Sequence, residues 1–307
     1  MTWPLRLAAG LAFALAITTS TAAAPKFEDR AALNEGVKIH YTAAGKGPLV
    51  VMLHGFPEYW GFYRGLMDEL DGSYRVAAMD LRGYNLSDKP TGEAAYAFPN
   101  LVKDVEAVIK AEGRTSAIVV GHDWGASIAW RVAMTRPDLV ERLVIMSVPH
   151  PAGFLREMAT NPVQQQNSQY ARNFMIPGFE KNLTPEMLTQ HAPPEIKAEW
   201  LEALKRTDFT AMLNYYRANY PKGTGEQAAV LAGSAPMASV KAPVLVIHGV
   251  KDSSLLAAGH SGTWDHVAAD TTILMIPSAG HDVQHDAGPL VNRTIHDWLD
   301  QRRNPPQ

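Results

Sequence analysis

A chain of 307 residues with 46% apolar and 19% charged side chains suits one large α/β domain, or such a domain with an insertion, and excludes a disordered chain. Its 28 basic and 31 acidic residues leave a net charge of −3 with no long basic run, so nucleic acid is not an expected partner. The absence of cysteine excludes thiol nucleophiles and thiolate metal sites, and a chain this long can bury enough core without disulfides.

The first residues read as a secretory signal peptide. Met1-Thr2-Trp3-Pro4-Leu5-Arg6 carries one positive charge, Leu7 to Ile17 is apolar, and Thr18 to Ala24 offers a small-residue cleavage region. The apolar stretch is shorter than the ~20 residues that span a bilayer, so no stable membrane anchor is expected. Cleavage near residues 22–24 and export to the periplasm or the medium are expected instead, and loss of Arg6 then takes the charge from −3 to −4.

Beyond it, runs rich in β-branched or bulky residues predict strands at Val37 to Tyr41, Leu49 to Leu53, Tyr74 to Met79, Ala117 to Val120, Leu143 to Val148, Val244 to His248 and Thr272 to Ile276. Helix-spaced apolar residues lie between and after them, for example Leu101, Val105, Val108 and Ile109, and Val291, Ile295, Trp298 and Leu299. Such alternation predicts a mostly parallel sheet with helices on both faces. The rhythm fails from about Pro149 to Pro236, where prolines and helix faces such as Ile196, Trp200, Leu201 and Leu204 replace strands. This stretch is read as a helical cap over the carboxyl ends of the sheet, where ligands bind in open α/β proteins. The expected division is therefore a signal peptide at 1–24, core at 25–149, cap at 150–236 and core again at 237–307.

Three strand ends carry reactive groups. Gly121-His122-Asp123-Trp124-Gly125 puts a carboxylate in the tight turn after Ala117-Ile118-Val119-Val120, with small residues two before and two after it. Asp252 follows the strand ending at His248, and His281 follows Pro277-Ser278-Ala279-Gly280 before the last helix. Nucleophile, acid and histidine in this order make a nucleophile with its base and the base's orienting partner. A carboxylate nucleophile attacks saturated carbon and leaves an ester, so Asp123 implies alkyl transfer rather than the acyl transfer of a serine. His54-Gly55-Phe56-Pro57 ends another strand; the Phe56 and Trp124 N–H groups are expected to form an oxyanion hole, and a cis bond before Pro57 is expected. The substrate pocket is expected to be lined by His54, Pro57, Trp124 and Tyr215. The rings of His54, His122 and His150 are expected to satisfy backbone groups. His122, His248, His281 and His285 show no metal-ligand spacing, so neither metal nor cofactor is expected.

Through His54-Gly55-Phe56-Pro57-Glu58, Asp80-Leu81-Arg82-Gly83-Tyr84, Gly121-His122-Asp123-Trp124-Gly125, Val148-Pro149-His150-Pro151 and Gly280-His281, the chain resembles the epoxide hydrolases of the α/β-hydrolase superfamily. The resemblance covers nearly all of the sequence after the signal peptide. These motifs are shared with haloalkane and haloacetate dehalogenases, which also use an aspartate. Epoxide hydrolases resemble one another in two cap tyrosines that hold and protonate the epoxide oxygen, and here they match Tyr170 in Ser168-Gln169-Tyr170 and Tyr216 in Asn214-Tyr215-Tyr216-Arg217. Haloacetate dehalogenases carry arginines where this chain has Trp124 and Ser127, and haloalkane dehalogenases often have Asn or Glu in place of Phe56.

The resemblance implies that Asp123 attacks an epoxide carbon while Tyr170 and Tyr216 stabilise the oxygen. His281, oriented by Asp252, would then activate water to cleave the ester to a vicinal diol. The alternatives are a dehalogenase using the same aspartate, or a secreted non-catalytic binding protein on this scaffold. A homodimer through the cap helices is one further expectation. Two residues depart from the family pattern: Asn85 stands where Gly is common, and Asp282 follows His281 where a bulky apolar or aromatic residue is usual.

Overall fold

The computed structural model describes residues 26–190, 192–222 and 237–303; the expected signal peptide lies outside the described residues. Eight strands form one sheet in the order β1-β2-β4-β3-β5-β6-β7-β8. They are β1 Glu28–Asn34, β2 Val37–Ala44, β3 Leu49–Leu53, β4 Arg75–Met79, β5 Ala117–His122, β6 Val140–Met146, β7 Val244–Gly249 and β8 Thr271–Ile276. From β4 through β8 all pairings are parallel, while β1 and β2 add antiparallel at one edge. This is the expected fold class.

Alternation along each strand divides the core. Val51, Leu53 and Val119 face a cluster with helices α2 (Phe98–Ala111) and α3 (Trp124–Thr135), while Val50, Met52 and Val120 face α1 (Arg64–Leu70) and the closing helix Gly288–Gln301. The sequence reading misses β1, whose Glu-Asp-Arg-Ala-Ala-Leu-Asn stretch has only two buried residues and pairs on one side alone. It also runs the sixth strand to Val148, whereas β6 stops at Met146 because Ser147 turns to φ 69°.

Between β6 and β7 the described residues are helical or irregular, with α4 Pro151–Thr160, α5 Pro162–Asn167, α6 Gln169–Phe174, α7 Pro185–Leu188, α8 Pro194–Lys205 and α9 Phe209–Asn219. None of the described helices is long and apolar enough to cross a membrane. Helix α8 is tied to the core at its middle and just past its C-terminal end. At its middle Arg64 donates two hydrogen bonds to Glu199, at 2.9 and 2.7 Å, and the Trp200 indole N–H donates to the Pro57 carbonyl at 3.0 Å. Just past its last residue, Asn85 donates its backbone N–H to Thr207 Oγ1 at 2.9 Å and accepts from Arg206 Nε at 2.8 Å. Asn85 holds φ 37°, a conformation Asn tolerates, and its side chain makes a tie that glycine in its place would lack.

Candidate functional site

Strand β5 enters α3 through Asp123 at φ 48°, ψ −120°, outside the ordinary range for a side-chain-bearing residue. The two glycines around it make room for the bend. A Cβ on Gly121 would sit 2.4 Å from the Gly125 carbonyl oxygen, and one on Gly125 would sit 1.9 Å from the Leu53 carbonyl oxygen. The loop after β3 closes over the turn, and the Phe56 N–H donates to Asp123 Oδ1 at 2.8 Å. The Phe56–Pro57 bond is cis.

The other carboxylate oxygen faces the loop after β8, with Asp123 Oδ2 3.4 Å from His281 Nε2. His281 Nδ1 lies 2.7 Å from Asp252 Oδ2, and Asp252 Oδ1 accepts from the N–H groups of Ser254 and Leu255 at 2.7 and 2.9 Å. Asp123, Asp252 and His281, 158 residues apart at the extremes, therefore meet at the carboxyl ends of β5, β7 and β8. Their charges are coupled. Burial penalises the Asp123 carboxylate, but His281, His122 and the Phe56 N–H outweigh it and hold the group below the usual carboxylate range. Burial likewise opposes charge on His281, yet the two carboxylates hold it well above the ordinary imidazole value. The resting site thus carries a cation between two anions.

Behind His281 lies a buried pair: His122, expected as a framework ring, and Glu58, whose partnership with it the sequence reading did not single out. Glu58 accepts from the Gly55 N–H at 2.7 Å and from Gln284 at 2.9 Å, and lies 3.1 Å from His122 Nδ1. His122 Nε2 donates to the His281 carbonyl at 3.0 Å, so the pair fixes the loop that carries the base. The signal available was the acid directly after Phe56-Pro57, whose side chain can turn back to the loop's own N–H. Among the described residues, His122, His281 and Asp282 have the composition and spacing of a metal site, but both nitrogens of each ring are already engaged. The Asp282 side chain is 60% exposed and stands 3.8 Å from His122 Nε2.

On the opposite side of Asp123 a cavity of about 240 Å³ opens, lined among others by Trp124, Phe154, Tyr170, Tyr216 and Leu255. The Tyr170 and Tyr216 rings meet edge to face at 6.3 Å, and Tyr216 meets Trp124 at 4.9 Å. Burial, reinforced by the Asp123 charge, pushes both phenols well above their ordinary pKa, with Ser254 and Trp124 partly offsetting it. Two protonated hydroxyls therefore share the cavity with one carboxylate.

Three expected lining residues are not on its wall. His54 is fully buried; its Nδ1 is bonded to the Gly55 carbonyl at 2.8 Å and its Nε2 accepts from the Leu81 N–H at 3.1 Å, as expected for a framework ring. Pro57 uses its carbonyl to receive Trp200. Tyr215, one residue before Tyr216 and so about 100° round the helix, donates to the Arg82 carbonyl at 2.8 Å and packs among Tyr84, Tyr96 and Trp124. Conversely, Phe98, Ser127 and Arg131 line the cavity and were not anticipated. The clue to the last two was their helical spacing of four and eight residues from Asp123.

Residues 48–288 match the family model described as alpha/beta hydrolase fold. The chain is 32% identical over 294 residues to Epoxide hydrolase 3 of Xenopus tropicalis, covering 87% of this chain and 76% of that protein. It is 34% identical over 284 residues to AB hydrolase superfamily protein YfhM of Bacillus subtilis, covering 86% and 95%. Among solved structures, an epoxide hydrolase mutant from Bacillus megaterium complexed with its product diol superposes with a TM-score of 0.78 at 29% identity, covering 88% of this chain and 100% of the other.

Proposed function

The chain is a hydrolase of the alpha/beta hydrolase fold family, and on that footing we propose that it opens epoxides to vicinal diols through a covalent aspartyl ester. Asp123 attacks an epoxide carbon, the carbon–oxygen bond breaks, and the oxygen takes the electron pair and a proton supplied at the Tyr170 and Tyr216 hydroxyls. The ester formed no longer carries the Asp123 charge. His281 then faces one anion instead of two, so its pKa falls; it gives up its proton, which restores the phenol that protonated the epoxide oxygen, and becomes a base. It takes a proton from water, and the hydroxide adds to the ester carbonyl. The oxyanion forms beside the Phe56 and Trp124 N–H groups; its collapse breaks the ester carbon–oxygen bond, the departing alkoxide takes the proton carried by the added hydroxide, and the diol and the Asp123 carboxylate are freed with His281 protonated again. Residues 150–236 serve as the cap of this site and residues 1–24 as its export signal.

The observation that carries this reading is the shared cavity of one carboxylate and two phenols with raised pKa. A phenol kept protonated donates to a departing alkoxide, whereas a departing halide needs no proton.

Replacing His281 by Gln should trap the ester. Intact mass after exposure to an epoxide, an alkyl halide and fluoroacetate separates the readings. Addition of the whole epoxide supports the proposal, alkylation with loss of halide supports a dehalogenase, and no adduct from a folded protein leaves a binding scaffold.

A further inference from the structure

Gln164 of α5 is 1% exposed, although its residue type is mostly found at the surface. Both hydrogens and the oxygen of its amide are engaged. Nε2 donates to the Ser254 carbonyl at 2.7 Å and to the Ser168 hydroxyl oxygen at 3.0 Å, and Oε1 accepts from the Leu256 N–H at 2.9 Å. Two hydrogens meet two acceptors and the oxygen meets a donor, so the amide has a single orientation.

On one side the amide holds the loop after β7. The Ser254 carbonyl and the Leu255 N–H belong to one planar trans peptide and point opposite ways, so the direction of the carbonyl sets that of the N–H. Gln164 holds the carbonyl, and the N–H donates to Asp252 Oδ1 at 2.9 Å. Through Leu256 the amide holds the next peptide as well, so both peptides flanking Leu255 lose their anchor if it is removed. On the other side it holds the corner between α5 and α6. Ser168, itself 1% exposed, is the N-cap residue of α6, and Tyr170 stands two residues further on. The Ser254 side chain in turn faces the Tyr170 phenol, where it offsets part of the rise that burial and Asp123 impose.

We infer that Gln164 is a positioning residue shared by the two halves of the reaction: its one amide aims the Leu255 N–H at Asp252 and sets the corner from which α6 presents Tyr170. The roles of Asp252 and Tyr170 rest on the epoxide-opening reading; the contacts that join them do not. A group acting in one step slows that step alone, whereas loss of a shared support slows both. Ser168 serves the α6 side only, so that link can be cut by itself.

Single-turnover kinetics with an epoxide, at a temperature well below the melting midpoint of each variant, resolve ester formation from ester hydrolysis. A displacement of about 1 Å can cost about 10²-fold, so Gln164→Leu should slow each step by about tenfold or more. Ser168→Ala should slow ester formation while hydrolysis stays within about twofold of wild type. A purely structural glutamine would lower the melting temperature and leave both rates of the folded enzyme within about twofold, and that result overturns the inference. Titration of the His281 ring by NMR needs no substrate. Asp252 is one of the two carboxylates that hold this imidazole well above its ordinary value, so in Gln164→Leu the value should fall. An unmoved value overturns the link to Asp252. Failure of the wild type and of His281→Gln to form an ester with any epoxide would sink the epoxide-opening reading instead, and the titration would still decide for or against Gln164. Should Gln164→Leu not fold, Ser168→Ala decides: slowing confined to ester formation supports the link to Tyr170, and unchanged or equally slowed steps overturn the inference.

Discussion

Asp252→Asn isolates the second half of the proposed reaction. Asp252 Oδ1 is held by the Ser254 and Leu255 N–H groups at 2.7 and 2.9 Å, and Oδ2 faces His281 Nδ1 at 2.7 Å. An asparagine there has no choice of orientation. Its carbonyl oxygen must take the place that accepts two backbone N–H groups, since the reverse would set an NH₂ against two donors. The amide NH₂ then points at His281 Nδ1 and stabilises the tautomer whose proton sits on Nε2. That nitrogen faces Asp123 and the incoming water, and it cannot act as a base. The same wrong-tautomer effect in serine-protease triads costs about 10⁴ in kcat, and a loss of about 10³ to 10⁴ in ester hydrolysis is expected here. Ester formation needs the Asp123 anion and the two phenols, so it should stay within about tenfold of wild type. Stopped-flow tryptophan fluorescence reads the two phases, since Trp124 lines the cavity, and intact mass measures the accumulated ester. A variant whose hydrolysis slows less than about tenfold, or whose alkylation falls in step with hydrolysis, would refute the assignment of Asp252 and His281.

The neighbouring tyrosines should separate cleanly. Tyr216→Phe should slow ester formation by about 10² to 10³, as for loss of one preorganised donor. Tyr215→Phe should leave the chemistry nearly unchanged while costing about 1 kcal/mol of stability in urea melts, through the lost bond to Arg82. Equal kinetic effects at the two positions would remove the basis for choosing Tyr216. Acid stability offers a third check. His150 and His260 are buried and held at about 3, by burial first and then by His266 and His248. Because their folded pKa lies below the unfolded value of about 6.5, the native state binds fewer protons. The stability they contribute is complete above about pH 6.5 and is lost as pH falls toward 3, by up to about 2.7 kcal/mol per pH unit for the two together. Denaturant titrations across that range should show the decline, and His260→Phe should make it about half as steep. An unchanged slope would mean that His260 is already protonated in the fold.

The central sheet was legible because β3, β5 and β7 are buried along their whole length and read as unbroken apolar runs. The edge strand β1 lacks that signature. Asp123, Asp252 and His281 were legible from context, each just past a strand, and parallel strands bring such ends to one side of the sheet. What the chain does not display is how a helix is rotated. The motif context separates Tyr216 from Tyr215 but does not show that Tyr215 turns away from the cavity; the setting of α9 sends one into the framework and the other into the cavity. His54 was misplaced for a similar reason, since its ring is consumed by Gly55 and Leu81.

The placing of the two halves of the chemistry on different strands determines how this protein fails. Asp123 follows β5, which is fully buried with neighbours on both sides, whereas His281 follows β8, a border strand with one partner and only Ile276 fully covered. Border strands open locally at a lower free energy than central ones. Under mild heat or denaturant, the base is therefore withdrawn while the nucleophile and its cap are still assembled. On the proposed chemistry, an enzyme in that state still captures substrate and no longer releases it. Partial damage makes a stoichiometric trap that holds one molecule per chain, and exposure to substrate during stress becomes irreversible inactivation.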